Sequence, residues 1–423
     1  MATATSKELR KSLIYELSVD KYGSFHEIHA DLPRIKELGV DVVWFQPFYP
    51  KGIKDAFGSC YCIRNFREID PAFGTLEDFR ILVDRVHEYG MLCMIDIVFH
   101  HASKDSYLFE NHPEFFLRGP DGLPMRKEEG WADIYDLDYS NKELWQEQID
   151  VLKQWIGLGV DGFRCDVAPM MPMEFWEEAR REVDKIKKNV IWLAESLLNF
   201  YALKYRKNGF ITASDCETYR VFDMTYRYDV WPEFMDYLHG KIALEAYVEK
   251  IRMQEYIYPE NYVKMSFIEN HDTPRIKEFI PDERLLKIWT AFTYFQKGSV
   301  LLHMGQEAAH DLKTTEDSQV RLDLDVLNGS FSDYLKRLKT IKEMDIFAHG
   351  FYEVKKLSTL GVIFCTYEYK DRIIAGIFNV ESKTGFIESG LKDGTYSDLI
   401  EGTAVEVIDG KIKLQGKAII FEV

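Results

Sequence analysis

The 423-residue sequence is poor in cysteine, and its six cysteines include no CxxC pair. Cys93 and Cys165 lie within apolar segments that have the composition of buried strands. This spacing does not indicate a zinc ribbon or a disulfide framework. We therefore interpret the cysteines as reduced thiols that pack as small apolar residues in a cytoplasmic protein.

Long apolar runs and an excess of positive charge are also missing. No stretch is long enough to span a bilayer, and residues 1–10 lack the apolar core of a signal peptide. The net charge is −17, from 53 Lys and Arg against 70 Asp and Glu. This balance argues against nucleic acid or an anionic membrane surface as a partner, and it leaves a neutral substrate open.

What the first hundred residues do contain is an alternation of apolar strand-like segments and amphipathic helices. Strands are predicted at 12–17, 40–48 and 91–99, and helices at 28–38 and 75–89. Thr75 and Asp78 have the spacing of a helix N-terminal cap. The order strand, helix, glycine, strand predicts a parallel α/β fold.

The alternation is interrupted once and then continues. Residues 102–136 are polar and rich in turn residues, so we predict a small inserted domain there. The segments that follow bring the total to eight strand–helix units, which is the number in a (β/α)8 TIM barrel. Short β-rich segments after residue 348 predict a C-terminal antiparallel β-sandwich. The predicted domains are the barrel (1–101 and 137–347), the inserted domain (102–136) and the sandwich (348–423).

The run Gly162-Phe163-Arg164-Cys165-Asp166 places a permanent cation two residues before a carboxylate on a buried strand. Side chains alternate along a strand, so Arg164 and Asp166 share a face. The guanidinium should keep Asp166 ionised. Taken alone, this pattern is typical either of a structural ion pair or of a nucleophile.

Acidic residues also lie near the C-terminal ends of three other predicted strands, at Asp96, Glu195 and Asp272. Each alone could cap a helix, lie on a solvated rim or pair with Arg164. Four acidic residues at the functional end of a barrel, together with histidines, indicate chemistry instead. Crowded carboxylates without metal-type histidine spacing are typical of glycoside hydrolysis.

The surroundings of these carboxylates suggest their roles. Asp166 has a cation beside it and suits the nucleophile. Glu195 follows Trp192-Leu193-Ala194 with no cation nearby in the sequence, so desolvation should keep it protonated as the general acid. Asp272 is then left to stabilise the oxocarbenium-like transition state.

These segments resemble, in order, the four motif regions of the α-amylase family of retaining glycoside hydrolases. The matching runs are Asp96-x-x-x-His100-His101, Gly162-Phe163-Arg164-x-Asp166, the segment of Glu195, and Phe267-x-x-Asn270-His271-Asp272. Residues 61–76 resemble the second βα loop of the family, 136–138 the end of its domain B, and 348–423 its domain C. The resemblance therefore extends over nearly the whole chain.

The resemblance implies that Asp166 is the nucleophile, Glu195 the acid/base and Asp272 the transition-state stabiliser. The predicted substrate-binding residues are Tyr61, Asp96, His101, Arg164, His271 and Arg275, with Arg164 orienting Asp166 and Tyr61 stacking on the sugar. The run from Val167 to Trp176 is most similar to the maltogenic amylase and neopullulanase branch.

The implied activity is retaining hydrolysis of α-1,4-glucosidic bonds in maltooligosaccharides or starch-type glucans. An exo-acting α-glucosidase or a transglycosylase could use the same site, because the loops set chain-length preference. A non-catalytic barrel of this family is the alternative from another class, and the complete trio argues against it. Cleavage of maltotriose discriminates these readings.

Two departures from the family pattern concern calcium. His100 stands where the family usually has an Asn ligand, and Met170 lies near the position of a second His ligand. We therefore expect neither a cofactor nor the shared calcium site, although Asp105, Asp133 or Asp136 could form another site.

The aromatic residues of the inserted segment leave two interpretations open. They could stack on sugars or form the core of the small domain itself. The residues concerned are Tyr107, Phe109, Phe115, Phe116 and Trp131.

Overall fold

The structure is a computed structural model that describes residues 4–309, 329–355 and 361–423. Eight parallel strands close a barrel in the order β1-β10-β9-β8-β7-β6-β3-β2, which confirms the predicted fold class. The first ten strands are β1 Leu13–Leu17, β2 Val42–Phe45, β3 Leu92–Ile97, β4 His101–Ser103, β5 Ile134–Asp136, β6 Gly162–Cys165, β7 Ile191–Ala194, β8 Met224–Tyr226, β9 Lys264–Ser266 and β10 Ser299–His303. Of these, β4 and β5 pair apart from the barrel as an antiparallel two-stranded sheet.

The described residues divide into two compact units, and the first spans residues 14–226 together with residue 4. Its helices are α1 Val19–Tyr22, α2 Phe25–Glu37, α3 Leu76–Glu88, α4 Tyr107–Asn111, α5 Lys142–Gly157, α6 Met173–Val183, α7 Asn199–Lys207 and α8 Asp215–Thr218. The predicted cap of α3 is confirmed as a full capping box. The Thr75 hydroxyl accepts from the Asp78 amide, and the Asp78 carboxylate accepts from the Thr75 amide.

Strand register sets the positions of the first unit's charged residues. Asp96 on β3 lies opposite Arg164 on β6, and Arg164 lies opposite Leu193 on β7. Glycine at 162 permits this close packing, since a Cβ there would come within 3.0 Å of the Ile191 carbonyl oxygen. Side chains that are distant in the sequence therefore meet across three adjacent strands.

The inserted segment has an aromatic core of its own. Phe115 and Phe116 are buried, and the ring of Phe109 lies 5.1 Å from those of both Phe116 and Tyr135. Tyr107, in contrast, is 47% exposed. Of the two interpretations of these aromatics, core packing applies to Phe109, Phe115 and Phe116.

The second unit comprises residues 5–13, 227–309, 329–355 and 361–423 among those described. Its helices are α9 Trp231–Leu238, α10 Leu244–Ile257, α11 Glu283–Phe295, α12 Ser330–Lys342 and α13 Asp345–His349. Its remaining strands are β11 Phe351–Lys355, β12 Ile363–Tyr369, β13 Arg372–Phe378, β14 Phe386–Glu388, β15 Gly394–Ser397, β16 Ala404–Ile408, β17 Lys411–Lys413 and β18 Ile419–Glu422.

The C-terminal strands form two antiparallel sheets, as the sequence predicts. Their orders are β11-β12-β13-β18 and β14-β17-β16-β15. One apolar cluster joins the sheets and includes Phe364 and Ile377 from the first, and Ile387, Val407 and Ile412 from the second. The buried cluster between two sheets is the core of a β-sandwich.

One sequence prediction about helix packing is wrong. The helical spacing of Phe175, Ala179, Val183 and Ile186 in the sequence predicts that the four share one buried side, but Ile186 is 56% exposed. Helix α6 ends at Val183, so Ile186 lies beyond the last helical turn. The predicted domain boundaries stay a prediction.

All six cysteines are free, and Cys216 alone among them is exposed. Burial raises the pKa of the Cys93 and Cys165 thiols well above the usual value. Within the described part of the chain, no helix combines the length and the apolar character that a membrane crossing requires.

Candidate active site

Arg164 is the centre of the charged cluster in the first unit. The side chain is fully buried, and its Nη1 atom donates to Asp166 Oδ1 at 2.8 Å and to Asp96 Oδ1 at 2.9 Å. Its Nη2 atom lies 2.9 Å from Glu195 Oε2 as an ion pair. One guanidinium thus holds the carboxyl groups of three neighbouring strands, and the predicted contact between Arg164 and Asp166 is present.

Aromatic groups enclose the same guanidinium. Its Nε atom donates to the Tyr226 hydroxyl at 3.1 Å, and the rings of Trp44, Tyr61 and Tyr226 lie 5.4–5.6 Å from its central carbon. Burial acts to lower the pKa of Arg164, but the carboxylates of Asp96 and Glu195 raise that pKa well above its usual value. Arg164 therefore stays cationic at any working pH.

Asp166 and Glu195 each lie one residue beyond a barrel strand, β6 and β7 respectively. They are 6% and 9% exposed. Val167, the residue after Asp166, has φ 36° and ψ 39°, a left-handed conformation that is strained for a β-branched side chain. In this conformation the Val167 amide donates to Glu195 Oε2 at 2.8 Å. This hydrogen bond from the Val167 amide therefore helps to hold the carboxyl group of Glu195 in place.

The expectation that Glu195 has no cation nearby is wrong, because Arg164 contacts it directly. The two residues are distant in the sequence. The register between β6 and β7, which places Arg164 opposite Leu193, brings them together. Sequence neighbours alone do not reveal this partner.

Asp96 has a supporting position in the structure. It is fully buried, and its carboxylate accepts from Arg164 and from the Tyr61 hydroxyl at 3.0 Å. Its backbone carbonyl accepts from the Tyr49 hydroxyl at 2.7 Å. These contacts indicate that Asp96 positions Arg164 and Tyr61, and its predicted binding of substrate stays a prediction. The Tyr61 side chain is half-buried in this cluster.

His101 is buried, and its Nε2 atom lies 3.2 Å from the Tyr61 carbonyl oxygen. Burial lowers the pKa of His101, although the Asp136 carboxylate acts to raise it. The ring of Trp131 lies 5.4 Å from the His101 ring. A neutral imidazole in this place is suited to hydrogen bonding with a neutral ligand.

At the position of the family's calcium ligand, His100 lies beside Lys127 and Asp136. His100 Nε2 lies 3.4 Å from the Lys127 Nζ atom and 3.5 Å from Asp136 Oδ2. Burial lowers the pKa of Lys127, and the Asp136 carboxylate acts to raise it. Calcium needs six to eight oxygen ligands. Of these three side chains, His100 and Lys127 end in nitrogen, and Asp136 alone offers oxygen atoms. Within the described ranges, no group of three His, Cys, Asp or Glu side chains could hold a metal ion.

In the second unit, Asp272 follows β9 within a small hydrogen-bonded group. The Tyr228 hydroxyl donates to Asp272 Oδ2 at 3.2 Å, and Asn270 Oδ1 accepts from the Asp272 amide. His271 Nε2 lies 3.3 Å from the same Asp272 oxygen. The Asp272 side chain is 38% exposed, so its carboxylate is accessible to a ligand.

Arg275, predicted to bind substrate, is buried in the second unit. It forms an ion pair with Glu269 and donates to the Met304 carbonyl at 2.8 Å. Glu269 also accepts from the Ile276 amide at 2.8 Å. This arrangement indicates that Arg275 holds the loop after β9 in place.

Sequence reasoning missed two tyrosines at the end of β8. Tyr226 supports Arg164 and Tyr228 supports Asp272, each within its own unit. Both lie at the carboxyl end of a barrel strand, and that position was the available signal.

Comparison with known families gives two matches. Residues 14–332 match the alpha amylase catalytic domain, and residues 353–421 match the bacterial alpha amylase C-terminal domain. The first match covers most of the chain and includes Asp166, Glu195 and Asp272.

Solved structures with the same fold include two amylases. An alpha-amylase from Lactobacillus plantarum is 35% identical to this chain, with a TM-score of 0.95. The comparison covers 99% of this chain and 100% of that one. A noncanonic maltogenic alpha-amylase, AmyB, from Thermotoga neapolitana is 31% identical with a TM-score of 0.87. That comparison covers 98% of this chain and 99% of AmyB.

The name of one relative includes a synthase activity as well as an amylase activity. Trehalose synthase/amylase TreS of Mycobacterium tuberculosis is 30% identical over 195 residues. The match covers 37% of this chain and 31% of TreS, so the chain spans about a third of that protein.

Proposed function

Because the chain belongs to the α-amylase family, we propose that it hydrolyses α-1,4-glucosidic bonds of maltooligosaccharides with retention of configuration. The observation that carries this proposal is the contact of one buried guanidinium, that of Arg164, with the carboxyl groups of both Asp166 and Glu195. The likeness to a maltogenic alpha-amylase supports maltooligosaccharides as the substrate class.

In the proposed first step, an Asp166 oxygen attacks the anomeric carbon. Glu195 gives its proton to the glycosidic oxygen as the bond to the leaving sugar breaks. In the second step, Glu195 takes a proton from water, and the water oxygen displaces Asp166 from the anomeric carbon. Two displacements at one carbon leave its configuration unchanged.

The charge arrangement supports these roles. Arg164 carries one positive charge for three carboxyl groups, and this excess of carboxyl groups favours a proton on one of them. A bound proton is what the general acid needs before the first step. The Val167 amide and Arg164 both contact Glu195, so its carboxyl group is held in one position for proton transfer.

Asp272 is proposed to stabilise the positive charge that develops on the sugar ring. Asp272 follows a barrel strand, at the end where such barrels place their catalytic groups. Its carboxylate is also accessible to a substrate. His101, His271 and Tyr61 are proposed to bind the sugar at the cleaved bond.

Transglycosylation is a second candidate, which the likeness to trehalose synthase/amylase favours. In that reaction a sugar hydroxyl replaces water in the second step, so products longer than the substrate appear. Incubation with maltotriose separates the possibilities. Maltose and glucose alone indicate hydrolysis, longer oligosaccharides indicate transfer, and an absence of turnover would indicate a non-catalytic barrel.

The stereochemistry of the first product provides a prediction. We expect the α-anomer, because double displacement through Asp166 retains configuration. Proton NMR during the first minutes of maltotriose cleavage measures the anomer before mutarotation. Initial formation of the β-anomer would show that water attacks directly and that Asp166 is not the nucleophile.

Removal of calcium is expected to leave both activity and melting temperature unchanged. The reason is that His100, Lys127 and Asp136 occupy the position of the family's calcium ligand with a donor set unsuited to calcium. Thorough chelation followed by calorimetry tests this. A fall in melting temperature that calcium reverses would contradict it, since a bound ion stabilises the folded state.

We further propose a cytoplasmic location. Six free cysteines, five of them buried, suit a reducing compartment. Cell fractionation should recover the activity with cytoplasmic markers, and activity in the medium would contradict the proposal.

A further inference from the structure

An exposed aromatic pair lies on α7, the helix that begins four residues after Glu195. Phe200 is 57% and Tyr201 37% exposed. Their ring centroids are 4.3 Å apart, with an angle of 36° between the planes. An exposed pair of adjacent aromatic rings is an apolar surface that a ligand could cover.

The C-terminal half of α7 is firmly anchored. Tyr205 is buried against Val167 and Met170, and its hydroxyl donates to Glu128 Oε2 at 2.8 Å. Lys204 forms an ion pair with the same oxygen at 2.7 Å. The helix is therefore held in place while Phe200 and Tyr201 remain in solvent.

The rings form a series that leads towards the catalytic residues. Tyr201 lies 4.3 Å from Phe200 and 6.4 Å from Tyr205, where the planes are nearly parallel at 21°. Tyr205 in turn packs against Val167, the residue that follows Asp166 and contacts Glu195. The exposed pair is thus joined through one buried ring to the backbone beside the proposed nucleophile.

We propose that Phe200 and Tyr201 form a platform on which a maltooligosaccharide stacks beyond the sugars at the cleaved bond. A glucose ring has an apolar C–H face and a polar rim, and exposed aromatic faces match the apolar part. Five residues span at most about 18 Å, so Phe200 lies within that distance of Glu195. This inference rests on the proposed function and predicts that the site prefers longer maltooligosaccharides over short ones.

The surroundings of the pair favour a sugar over a second copy of this chain. The two rings offer at most about 500 Å² of surface, whereas a stable protein interface buries roughly 800 Å² on each partner. The other exposed side chains along the same helix are mostly polar or charged, as at Asn199, Arg206 and Lys207, with Leu203 as an apolar one. A small apolar surface with a polar rim suits a neutral, hydroxyl-rich ligand.

The test compares a double variant, Phe200→Ala with Tyr201→Ala, with the wild-type enzyme on maltotriose and maltoheptaose. We expect the ratio of kcat/KM for maltoheptaose over maltotriose to fall about tenfold, since each lost stacking contact weakens binding severalfold. The loss should appear mainly in the KM for maltoheptaose, because stacking holds substrate and transition state equally. Restoration of rings by Phe200→Trp with Tyr201→Trp should restore the ratio.

Leu203→Ala is the matched control, because Leu203 is 68% exposed on the same helix but is not aromatic. It should leave the ratio unchanged. An unchanged ratio in the double variant, or an equal fall in the control, would overturn the platform. A lower native mass of the double variant than of the wild type would also overturn the platform, because it would show that the two rings mediate self-association.

Calorimetric titration with maltoheptaose separates this inference from the proposed function. If the wild-type protein binds but does not cleave, the proposed hydrolysis fails while the platform still predicts about tenfold weaker binding by the double variant. If the wild type cleaves and the double variant binds equally well, the platform alone fails. An absence of binding by the wild type would overturn both.

Discussion

Asp166→Asn is expected to lower kcat on maltotriose by about four orders of magnitude or more. An amide has the size of the carboxylate but is a poor nucleophile, so the covalent step is lost while substrate binding remains. The amide oxygen can still accept from Arg164, which contacts Asp166 at 2.8 Å, and the fold should persist. Steady-state kinetics together with a circular dichroism spectrum measures both effects.

Asp121→Asn is the matched control, since Asp121 lies in an exposed turn and makes the same chemical change. Its kcat should equal that of the wild type. Near wild-type turnover by Asp166→Asn would assign the nucleophile to another residue.

Arg164→Met should destabilise the protein by about 3–5 kcal/mol, because it leaves the carboxyl groups of Asp96, Asp166 and Glu195 without their shared cation in a buried site. For a protein of this size the melting temperature should fall by about 3–6 °C. The difference in melting temperature between Arg164→Met and the wild type should become smaller at lower pH. Protonation removes the unpaired charge in the variant and weakens the ion pairs in the wild type.

Arg164→Lys keeps the charge but loses the forked geometry that contacts several groups at once, so we expect an intermediate melting temperature. Calorimetry across pH separates the charge effect from simple loss of packing. If Arg164→Met melted within a degree or two of the wild type at neutral pH, the central position of Arg164 would be wrong.

Contacts within one strand could be predicted from the sequence, and contacts between strands could not. Alternation along β6 gives the shared face of Arg164 and Asp166, and this contact is present in the structure. The contact of Arg164 with Glu195 depends on the register of β6 against β7, which a single sequence does not specify. For the same reason the position of Tyr226 beside Arg164 was missed.

Helices with a clear apolar stripe were predicted close to their observed ends, as the predicted helix at 75–89 and α3 show. Helix α7 was missed because most of its side chains are exposed and Tyr205 is its buried anchor. Strands β14 and β17 were missed because each has three residues, of which one is buried. Such short segments are specified by their pairing in the sheet.

The most direct test of the account is the isolation of a covalent intermediate. In Glu195→Gln, α-maltosyl fluoride should still glycosylate Asp166, because fluoride leaves without a proton from Glu195. Loss of the base should then slow attack by water, so the intermediate accumulates. Mass spectrometry of the digested protein should show one maltosyl group on the peptide that contains Asp166. Fluoride release without an adduct, or an adduct on a different residue, would contradict the mechanism.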